Sequence, residues 1–265
     1  FQGPVRIYYG LEGFYQNNLD YAKSRSENQL HGKLTDTEGC EPLETRIDPN
    51  DGIEKPIAPC GSIANSLFNG IFLKEFCAHS MLPETCAVTS LRGIISDFVV
   101  RKKYANPLPK ENETLCDAFK GTVRPPWWTR DVCQLGAPLN AEDAARDSVG
   151  IGLENIDLII WMRVAALPKF RKIYRIVDDE HDDYTEGLPA GNYTLRIGYN
   201  YPTSTWHGKK FFYVTSESWA GGRHFPLAIA YLAVGAFLLL ISALFLLMCL
   251  RMRFLERVRV EAQMQ

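Results

Sequence analysis

The longest apolar segment of the chain lies near its C-terminus. Residues 227–250 read LAIAYLAVGAFLLLISALFLLMCL and contain no charged side chain. As an α-helix this segment would extend about 36 Å, enough to cross a hydrocarbon core of about 30 Å with some tilt. A helix buried in a soluble protein is rarely apolar on every face over such a length. The pattern therefore predicts a domain over 1–224, a transmembrane helix over 225–250 and a basic tail over 251–265.

Outside this segment, apolar residues occur in short runs that mostly indicate strands. Val5–Tyr9 is β-prone, and both Tyr193–Tyr199 and Lys210–Val214 alternate apolar and polar positions with period two. The apolar run 156–162 is interpreted as a buried strand, and 165–174 is predicted to be a short bend or helix. Short strands separated by Gly- and Pro-containing turns favour a mainly-β domain, namely an antiparallel β-sandwich with long insertions.

Six of the seven cysteines precede the predicted helix: Cys40, Cys60, Cys77, Cys86, Cys116 and Cys133. Such an even set is typical of an oxidising compartment, although it allows many pairings. The first two bracket a polar stretch within 31–59, and a bond between them would stabilise the fold by about 3 kcal/mol. The next two could staple a local turn, and the last two lie in a second long irregular segment, 104–150. The insertions are therefore predicted to be stapled by disulfides.

Two further features place the domain outside the cytoplasm. Asn112-Glu-Thr and Asn192-Tyr-Thr match the N-glycosylation acceptor of secreted proteins. The tail 251–265 carries four arginines, as expected of a cytoplasmic flank. The domain is therefore predicted to face the lumen or the cell exterior, in the endoplasmic reticulum, Golgi, endosome or plasma membrane. Before the helix, 25 Lys and Arg oppose 29 Asp and Glu, and no basic patch indicates a nucleic-acid partner.

The sequence contains none of the common catalytic or metal-binding motifs. There is no G-x-S-x-G elbow, no H-E-x-x-H pair and no P-loop. Residues 150–155 indicate a turn, and the acidic run 178–183 is interpreted as a solvated loop because it lacks calcium-loop spacing. Cys77 and His79 are too few ligands for a closed metal site. We predict no enzyme, metal or cofactor; a dispersed site that uses the five histidines stays open.

Several blocks occur together, in the same order, in one known family. They are 8–11 (YYGL) with 14–17 (FYQN), Tyr21 with Ser24-Arg25, Cys40-Glu-Pro, 56–69 (PIAPCGSIANSLFN), 161–174 (WMRVAALPKFRKIY), 188–191 (LPAG), 199–202 (YNYP), 208–210 (GKK), 218–222 (SWAGG) and 228–235 (AIAYLAVG). By these blocks the chain resembles the cell-division-control protein 50 (ligand-effect-modulator) family. The members of that family are non-catalytic β-subunits of type-IV P-type ATPases, the phospholipid flippases.

The resemblance implies two transmembrane helices with both termini cytoplasmic and a glycosylated ectodomain built on a β-sandwich. It also implies that Cys40 pairs with Cys60. Four cysteines look like additions to the family pattern: Cys77, Cys86, Cys116 and Cys133. Because Phe1 is preceded by no Met or signal peptide, we expect the first helix upstream. The implied partners are the α-subunit, alone or fused to other domains, and membrane lipid; the implied role is to support the folding, endoplasmic-reticulum export and transport cycle of that subunit.

Residues at the membrane end of the domain and in the helix are candidate contacts with that subunit, because small residues let helix backbones approach closely. They are Trp219, Gly221, Gly222, Ala230, Ala233 and Gly235. Ala228 and Ser242 are further small residues of the predicted helix. Trp161 is another candidate, for which burial in the core is the favoured alternative. Two other functions stay open: a single-pass receptor or adhesion ectodomain, and a luminal hydrolase.

Overall fold

The computed structural model divides the chain into two compact units, the N-terminal unit Phe1–Ser218 and the C-terminal unit Trp219–Gln265. The structure describes residues 4–68, 73–78, 85–86, 89–90, 94–96, 102–137, 150–177, 187–198, 201–204, 206–216 and 225–263. The acidic run 178–183 and His79 lie outside these residues.

The N-terminal unit combines short strands with short helices. Its described strands are β1 (Val5–Glu12), β2 (Thr45–Ile47), β3 (Glu54–Pro56), β4 (Leu73–Ala78), β5 (Thr85–Cys86), β6 (Thr89–Ser90), β7 (Lys169–Val177), β8 (Tyr193–Ile197) and β9 (Lys209–Ser216). Its described helices are α1 (Leu19–Lys23), α2 (Glu27–Leu30), α3 (Ser62–Asn65), α4 (Leu115–Ala118) and α5 (Ile156–Met162), with 3₁₀ turns at Val132–Gln134 and Gly152–Glu154. The C-terminal unit contains α6 (Phe225–Gln263).

The main sheet has four antiparallel strands in the order β6–β7–β1–β9. The first strand of the chain is therefore central, between two strands that follow more than 150 residues later. Buried side chains alternate along it: Val5, Ile7, Tyr9 and Leu11. This period of two places one face of the strand against the core, as predicted from the sequence for 5–9.

Two smaller sheets complete the mainly-β unit. One has three antiparallel strands in the order β5–β4–β8, and the other is the hairpin β2–β3. The strands predicted over 193–199 and 210–214 are present as β8 and β9. The hairpin lies inside 31–59, a segment predicted to be loop. The packing of the larger sheets face to face as a sandwich stays a prediction.

The prediction of a strand at 156–162 is wrong, because these residues form α5. The Asn155 side chain caps the helix by accepting a hydrogen bond from the Leu158 N–H at 3.0 Å. Residues 158–162 are all buried. Apart from Asp157 the run is apolar, and it therefore shows neither the two-residue nor the 3.6-residue period that would distinguish a strand from a helix. The asparagine at the N-cap was the local signal for a helix.

The prediction of a bend or helix at 165–174 is wrong from residue 169 onwards. Lys169–Val177 is β7, which pairs with β1 along most of its length and with β6 near its end. The segment is rich in lysine and arginine, which favour helices in isolation. Pairing on both edges outweighs that weak local preference.

Trp161 lies at the centre of the main hydrophobic core and is 0% exposed. Its ring meets Phe14 edge-on at 5.6 Å between centroids and stacks on Phe68 at 6.1 Å. Its indole N–H donates to the carbonyl of Ile63 at 2.8 Å, which ties α5 to α3. Burial in the core, the alternative favoured from the sequence, is therefore confirmed for this residue.

The C-terminal unit is a single helix over the residues described there. Among the residues that the structure describes, one stretch of helix, Leu227–Arg257, is long and apolar enough to cross a membrane. Its apolar side chains are exposed along its length. Exposure of such a large apolar surface to water is unfavourable, so the helix fits the predicted membrane span.

Candidate interaction surface

The Cys40–Cys60 disulfide lies in a buried hydrogen-bond network. Its Cα atoms are 5.6 Å apart, and both residues are buried. The Ser24 hydroxyl donates to the carbonyl of Glu41 at 2.6 Å and accepts from the N–H of Ser62 at 2.8 Å. Glu41 directly follows Cys40, and Ser62 lies two residues after Cys60. Ser24 therefore holds both sides of the crosslink to the end of α1.

Gln29 provides a second connection to the same crosslink. It is 1% exposed, and its amide N–H donates to the carbonyl of Ile57 at 2.7 Å. Its amide oxygen accepts from the N–H of Cys60, also at 2.7 Å. Next to this contact, Gly61 has a φ of 93°, and a Cβ there would lie 2.1 Å from the carbonyl oxygen of Ser24. The backbones approach so closely that only glycine fits.

The Cys116–Cys133 disulfide joins α4 to the 3₁₀ turn at Val132–Gln134. Thr114 and Asp117 form a capping box at the start of α4, with the carboxylate accepting from the Thr114 N–H at 2.8 Å. Lys120 makes an ion pair with the same carboxylate. Hydrogen bonds from Lys120 first and from Thr114 second hold the pKa of Asp117 well below its usual range.

The remaining cysteines of this unit lie on neighbouring strands. The register of β4 and β5 places Cys77 directly opposite Cys86. Residues that face each other across an antiparallel pair have Cα atoms about 4.5–5.5 Å apart, within the range that a disulfide requires. A bond between them stays a prediction.

Two adjoining loops and the first residue of α1 expose apolar side chains to solvent. These side chains, which we call the loop surface, are Tyr15, Leu19, Val164 and Leu167. The N–H of Gly13 donates to the carbonyl of Pro168 at 2.9 Å, which joins the loop after β1 to the loop before β7. Exposed apolar side chains on neighbouring segments are a feature of protein interaction sites.

Buried groups hold these loops in one conformation. The Gln16 side chain is 0% exposed and accepts from the N–H of Ala165 at 3.0 Å. Phe14 packs edge-on against Tyr21, Phe170 and Trp206. The backbone that carries the loop surface is therefore preorganised, and such preorganisation lowers the entropic cost of binding a partner.

The buried side chain of Lys172 caps the C-terminal end of α5. Lys172 donates to the carbonyls of Ile160 at 3.0 Å, Trp161 at 2.8 Å and Arg163 at 2.5 Å. Burial, and then the charge on Arg163, lowers the pKa of Lys172 to about 7. The three carbonyls and the helix end favour the protonated form, so they oppose that shift. Near the start of α5, Arg175 makes a bidentate ion pair with Asp157 at 2.7 and 3.0 Å.

Both predicted glycosylation sites are at the surface. Asn112 is exposed in a turn with a φ of 68°, and Asn192 is exposed just before β8. Modification of either asparagine stays a prediction. Among the residues that the structure describes, no group of three or more His, Cys, Asp or Glu side chains could hold a metal ion.

The predicted contact residues in the C-terminal part divide into three sets. Trp219, Gly221 and Gly222 lie outside the described residues. Ala230 and Ala233 are exposed on α6, about 60° apart around its axis, since successive residues turn by about 100°. Gly235 is about 140° from Ala230, so it lies on another face. Ala228 and Ser242, seven residues to either side of Gly235, share that second face.

Comparison with protein families identifies the group to which this fold belongs. Residues 1–254 match the model of the LEM3 (ligand-effect modulator 3) family / CDC50 family. The chain belongs to this family. The resemblance noted in the sequence is therefore confirmed.

Curated CDC50 relatives match along most of this chain. Cell cycle control protein 50A of Mus musculus is 38% identical over 251 residues, which cover 93% of this chain and 64% of that protein. Cell cycle control protein 50B of Homo sapiens is 38% identical over 257 residues, 95% of this chain and 68% of that protein. ALA-interacting subunit 3 of Arabidopsis thaliana is 33% identical over 250 residues, which cover 93% of this chain and 60% of that protein. The chain thus spans about two thirds of the length of these relatives.

The loop surface was missed in the sequence, although its residues lie within blocks that carry the CDC50 resemblance. Tyr15 belongs to the block at 14–17, and Val164 and Leu167 belong to the block at 161–174. Their side chains are apolar, and no local pattern distinguishes an exposed apolar side chain from a buried one. The packing of Phe14 against Trp161 and the hydrogen bond to Gln16 turn these two side chains inward, whereas Tyr15 between them is exposed.

Proposed function

We propose that the chain is the non-catalytic accessory subunit of a type-IV P-type ATPase, a phospholipid flippase, and that it binds the catalytic α-subunit. The observation that carries this proposal is the family match over residues 1–254. The name of the Arabidopsis relative describes it as a subunit that interacts with another protein. The membrane-length helix α6 supports a partner that is itself in the membrane. ATP hydrolysis and lipid movement belong to that partner.

In this proposal the N-terminal unit faces the lumen or the cell exterior, and the C-terminal tail is cytoplasmic. Two disulfides support a location in an oxidising compartment, since such bonds rarely persist in the cytosol. Four arginines after residue 250 support a cytoplasmic tail. The membrane helix expected upstream of Phe1 stays part of the proposal.

The subunit would act through two contacts. The loop surface would cover extracytoplasmic loops of the α-subunit, and one face of α6 would pack against a helix of the same protein. A partner that is covered in this way is stabilised by the binding free energy during folding, export from the endoplasmic reticulum and the transport cycle.

Co-purification tests the proposal. The full protein, extracted in mild detergent, is expected to carry a P-type ATPase of polytopic size, identified by mass spectrometry. Leu167→Asp should abolish this recovery, because a charge in an apolar contact is costly to desolvate. Leu108→Asp, at another highly exposed leucine outside the loop surface, is the matched control and should leave recovery unchanged. Recovery of the wild-type chain without any such ATPase would contradict the proposal.

Substitutions in α6 decide which helix face binds. If the face of Ala228, Gly235 and Ser242 packs on the partner, Gly235→Leu should reduce recovery strongly and Ala233→Leu only weakly. The reverse order would assign the contact to the face of Ala230 and Ala233. Equal and full recovery of both variants would exclude both faces.

A further inference from the structure

A cationic cleft lies next to Val164, at the C-terminal end of α5. It has a volume of about 560 Å³. Its polar lining includes Asn28 and six ionisable side chains: Arg25, Glu27, His31, Lys102, Lys103 and Arg163. A volume of this size is typical of a site for a small molecule or a headgroup rather than a single ion.

The charge of this lining is strongly one-sided. Among the residues of the lining that the structure describes, one carries a carboxylate, Glu27, which contacts Arg25 at 3.4 Å, and four are cations: Arg25, Lys102, Lys103 and Arg163. In the part of the chain that the structure describes, no carboxylate pairs with Lys103 or Arg163. The whole segment before α6 contains more acidic than basic residues, so the cluster is not a product of composition. Like charges held together repel, and the cluster is therefore expected to have an anionic partner.

The floor of the cleft is apolar and well ordered by buried contacts. Leu30, Tyr104 and Met162 are buried beneath the cations. Arg25 is fixed there, since its guanidinium donates to the carbonyl of Met162 at 3.3 Å. Burial raises the pKa of the Tyr104 phenol, while the charges of Arg25 and Arg163 act in the opposite direction. Both arginines line the same cleft as Tyr104.

We propose that this cleft binds an organic phosphate, with the phosphate held by Arg25, Lys103 and Arg163 and the organic part on the apolar floor. One guanidinium group can bind two phosphate oxygens through two parallel hydrogen bonds, and a lysine side chain adds a compact positive charge. A phosphate group supplies up to two negative charges and three acceptor oxygens, which suits several cations better than one carboxylate does. The site concerns the N-terminal unit alone and does not depend on the proposed ATPase partner.

Two sources carry this chemistry, a phospholipid headgroup and a soluble phosphate ester. Calorimetric titration of the full chain in nonionic detergent distinguishes them. The probes are glycerophosphoserine, which is the soluble headgroup diester of an anionic lipid, glycerol 3-phosphate, which is a monoester, and succinate as a carboxylate of similar charge. Saturable binding of the diester more tightly than the monoester identifies a headgroup site, and the opposite order identifies a site for soluble esters.

Variants connect the binding to the cleft. Arg163→Gln and Lys103→Gln should each weaken the tighter phosphate probe about tenfold, because each removes a charge-assisted contact. Lys110→Gln removes the same charge at an exposed lysine outside the cleft and should leave affinity unchanged. Arg163→Lys should restore part of the affinity. Higher salt should weaken binding to the wild-type chain.

Three results would overturn the proposal. These are no saturable binding of either phosphate probe at millimolar concentration, succinate binding as tight as phosphate binding, or unchanged affinity in both glutamine variants. Unfolding temperatures of the variants within about 2 °C of wild type show that the lost affinity is not caused by misfolding.

Discussion

Two disulfides that the structure describes in the N-terminal unit close loops of similar length in very different surroundings. The sequence separation is 20 residues for Cys40–Cys60 and 17 for Cys116–Cys133. The chain-entropy model therefore assigns each about 3 kcal/mol. The first pair is 0% and 2% exposed, whereas Cys116 is exposed at the surface. The first bond also lies among the hydrogen bonds of Ser24 and Gln29, while the second lies beside a solvent-exposed helix cap.

The difference shows that loop length alone does not determine the importance of a crosslink. When the second bond is broken, a surface segment gains freedom, and water can satisfy the groups that move. When the first is broken, buried amides and carbonyls that depend on the alignment of two segments lose their partners together. We expect the Cys40–Cys60 region to unfold cooperatively with the core and the Cys116–Cys133 region to open locally.

The largest expected effect is that of removing the buried bond. Cys40→Ala with Cys60→Ala should lower the free energy of unfolding by about 4–5 kcal/mol, since a cavity is added to the lost chain restraint. Cys116→Ala with Cys133→Ala is the matched control and should cost about 2–3 kcal/mol. Urea unfolding of the full chain in nonionic detergent, followed by tryptophan fluorescence, measures both. Equal losses would refute the role assigned to the surroundings.

Glycine substitutions test the close backbone approach beside the buried bond. Gly61 and Gly121 have φ values of 93° and 95°, so alanine is strained at both by about 1–2 kcal/mol. Only Gly61 faces the Ser24 carbonyl, and a Cβ at Gly121 has nothing within 4 Å. Gly61→Ala should cost about 3 kcal/mol or more in the same urea experiment, and Gly121→Ala about 1–2 kcal/mol. Similar losses would mean that Ser24 can move aside.

Gln29→Leu tests the buried amide. The change leaves the Cys60 N–H and the Ile57 carbonyl without their partner, which should cost about 2–3 kcal/mol. The neighbouring Asn28→Leu breaks an exposed hydrogen bond to Asp36 and should cost less than about 0.5 kcal/mol. If both variants unfold at the same urea concentration, water replaces the glutamine and the network is less important than proposed.

The smallest effect concerns the exposed cap beside the second disulfide. The pKa of Asp117 is lowered in the folded state, so its contribution to stability is present above about pH 4, the unfolded pKa, and is lost as the pH falls. Asp117→Asn should therefore lower the unfolding temperature at pH 6 by a small amount, with the difference from wild type shrinking towards pH 3. A difference that is constant between pH 6 and pH 3 would show that charge is not the cause.

Elements with their own repeating pattern could be predicted from the sequence. β8, β9 and α6 were predicted because alternation or uninterrupted apolar length specifies each of them without help from distant residues. α5 and β7 were not, because α5 has no period and β7 is formed by its pairing with β1. The strand order of the main sheet could not be predicted either, because no local sequence pattern indicates which strands pair with β1.

The candidate sites show the same limit. The bond between Cys40 and Cys60, implied by the family resemblance, is present in the structure, as is one between Cys116 and Cys133. The cationic cleft could not be foreseen, because Arg25 and Arg163 are far apart in the chain and meet only through the end of α5. Charges that are distant in the sequence line one cleft only after folding.

The central position of β1 determines when the N-terminal unit can be completed during synthesis. Its two sheet partners begin at Lys169 and Lys209, so the strand leaves the ribosome about 160 and 200 residues before they do. At about 5–20 residues per second, its edges stay unpaired for roughly 10–40 s. During that time an apolar strand with two free edges is open to pairing with other chains. We therefore expect a nascent chain with this strand order to need shielding until its last strand has been made.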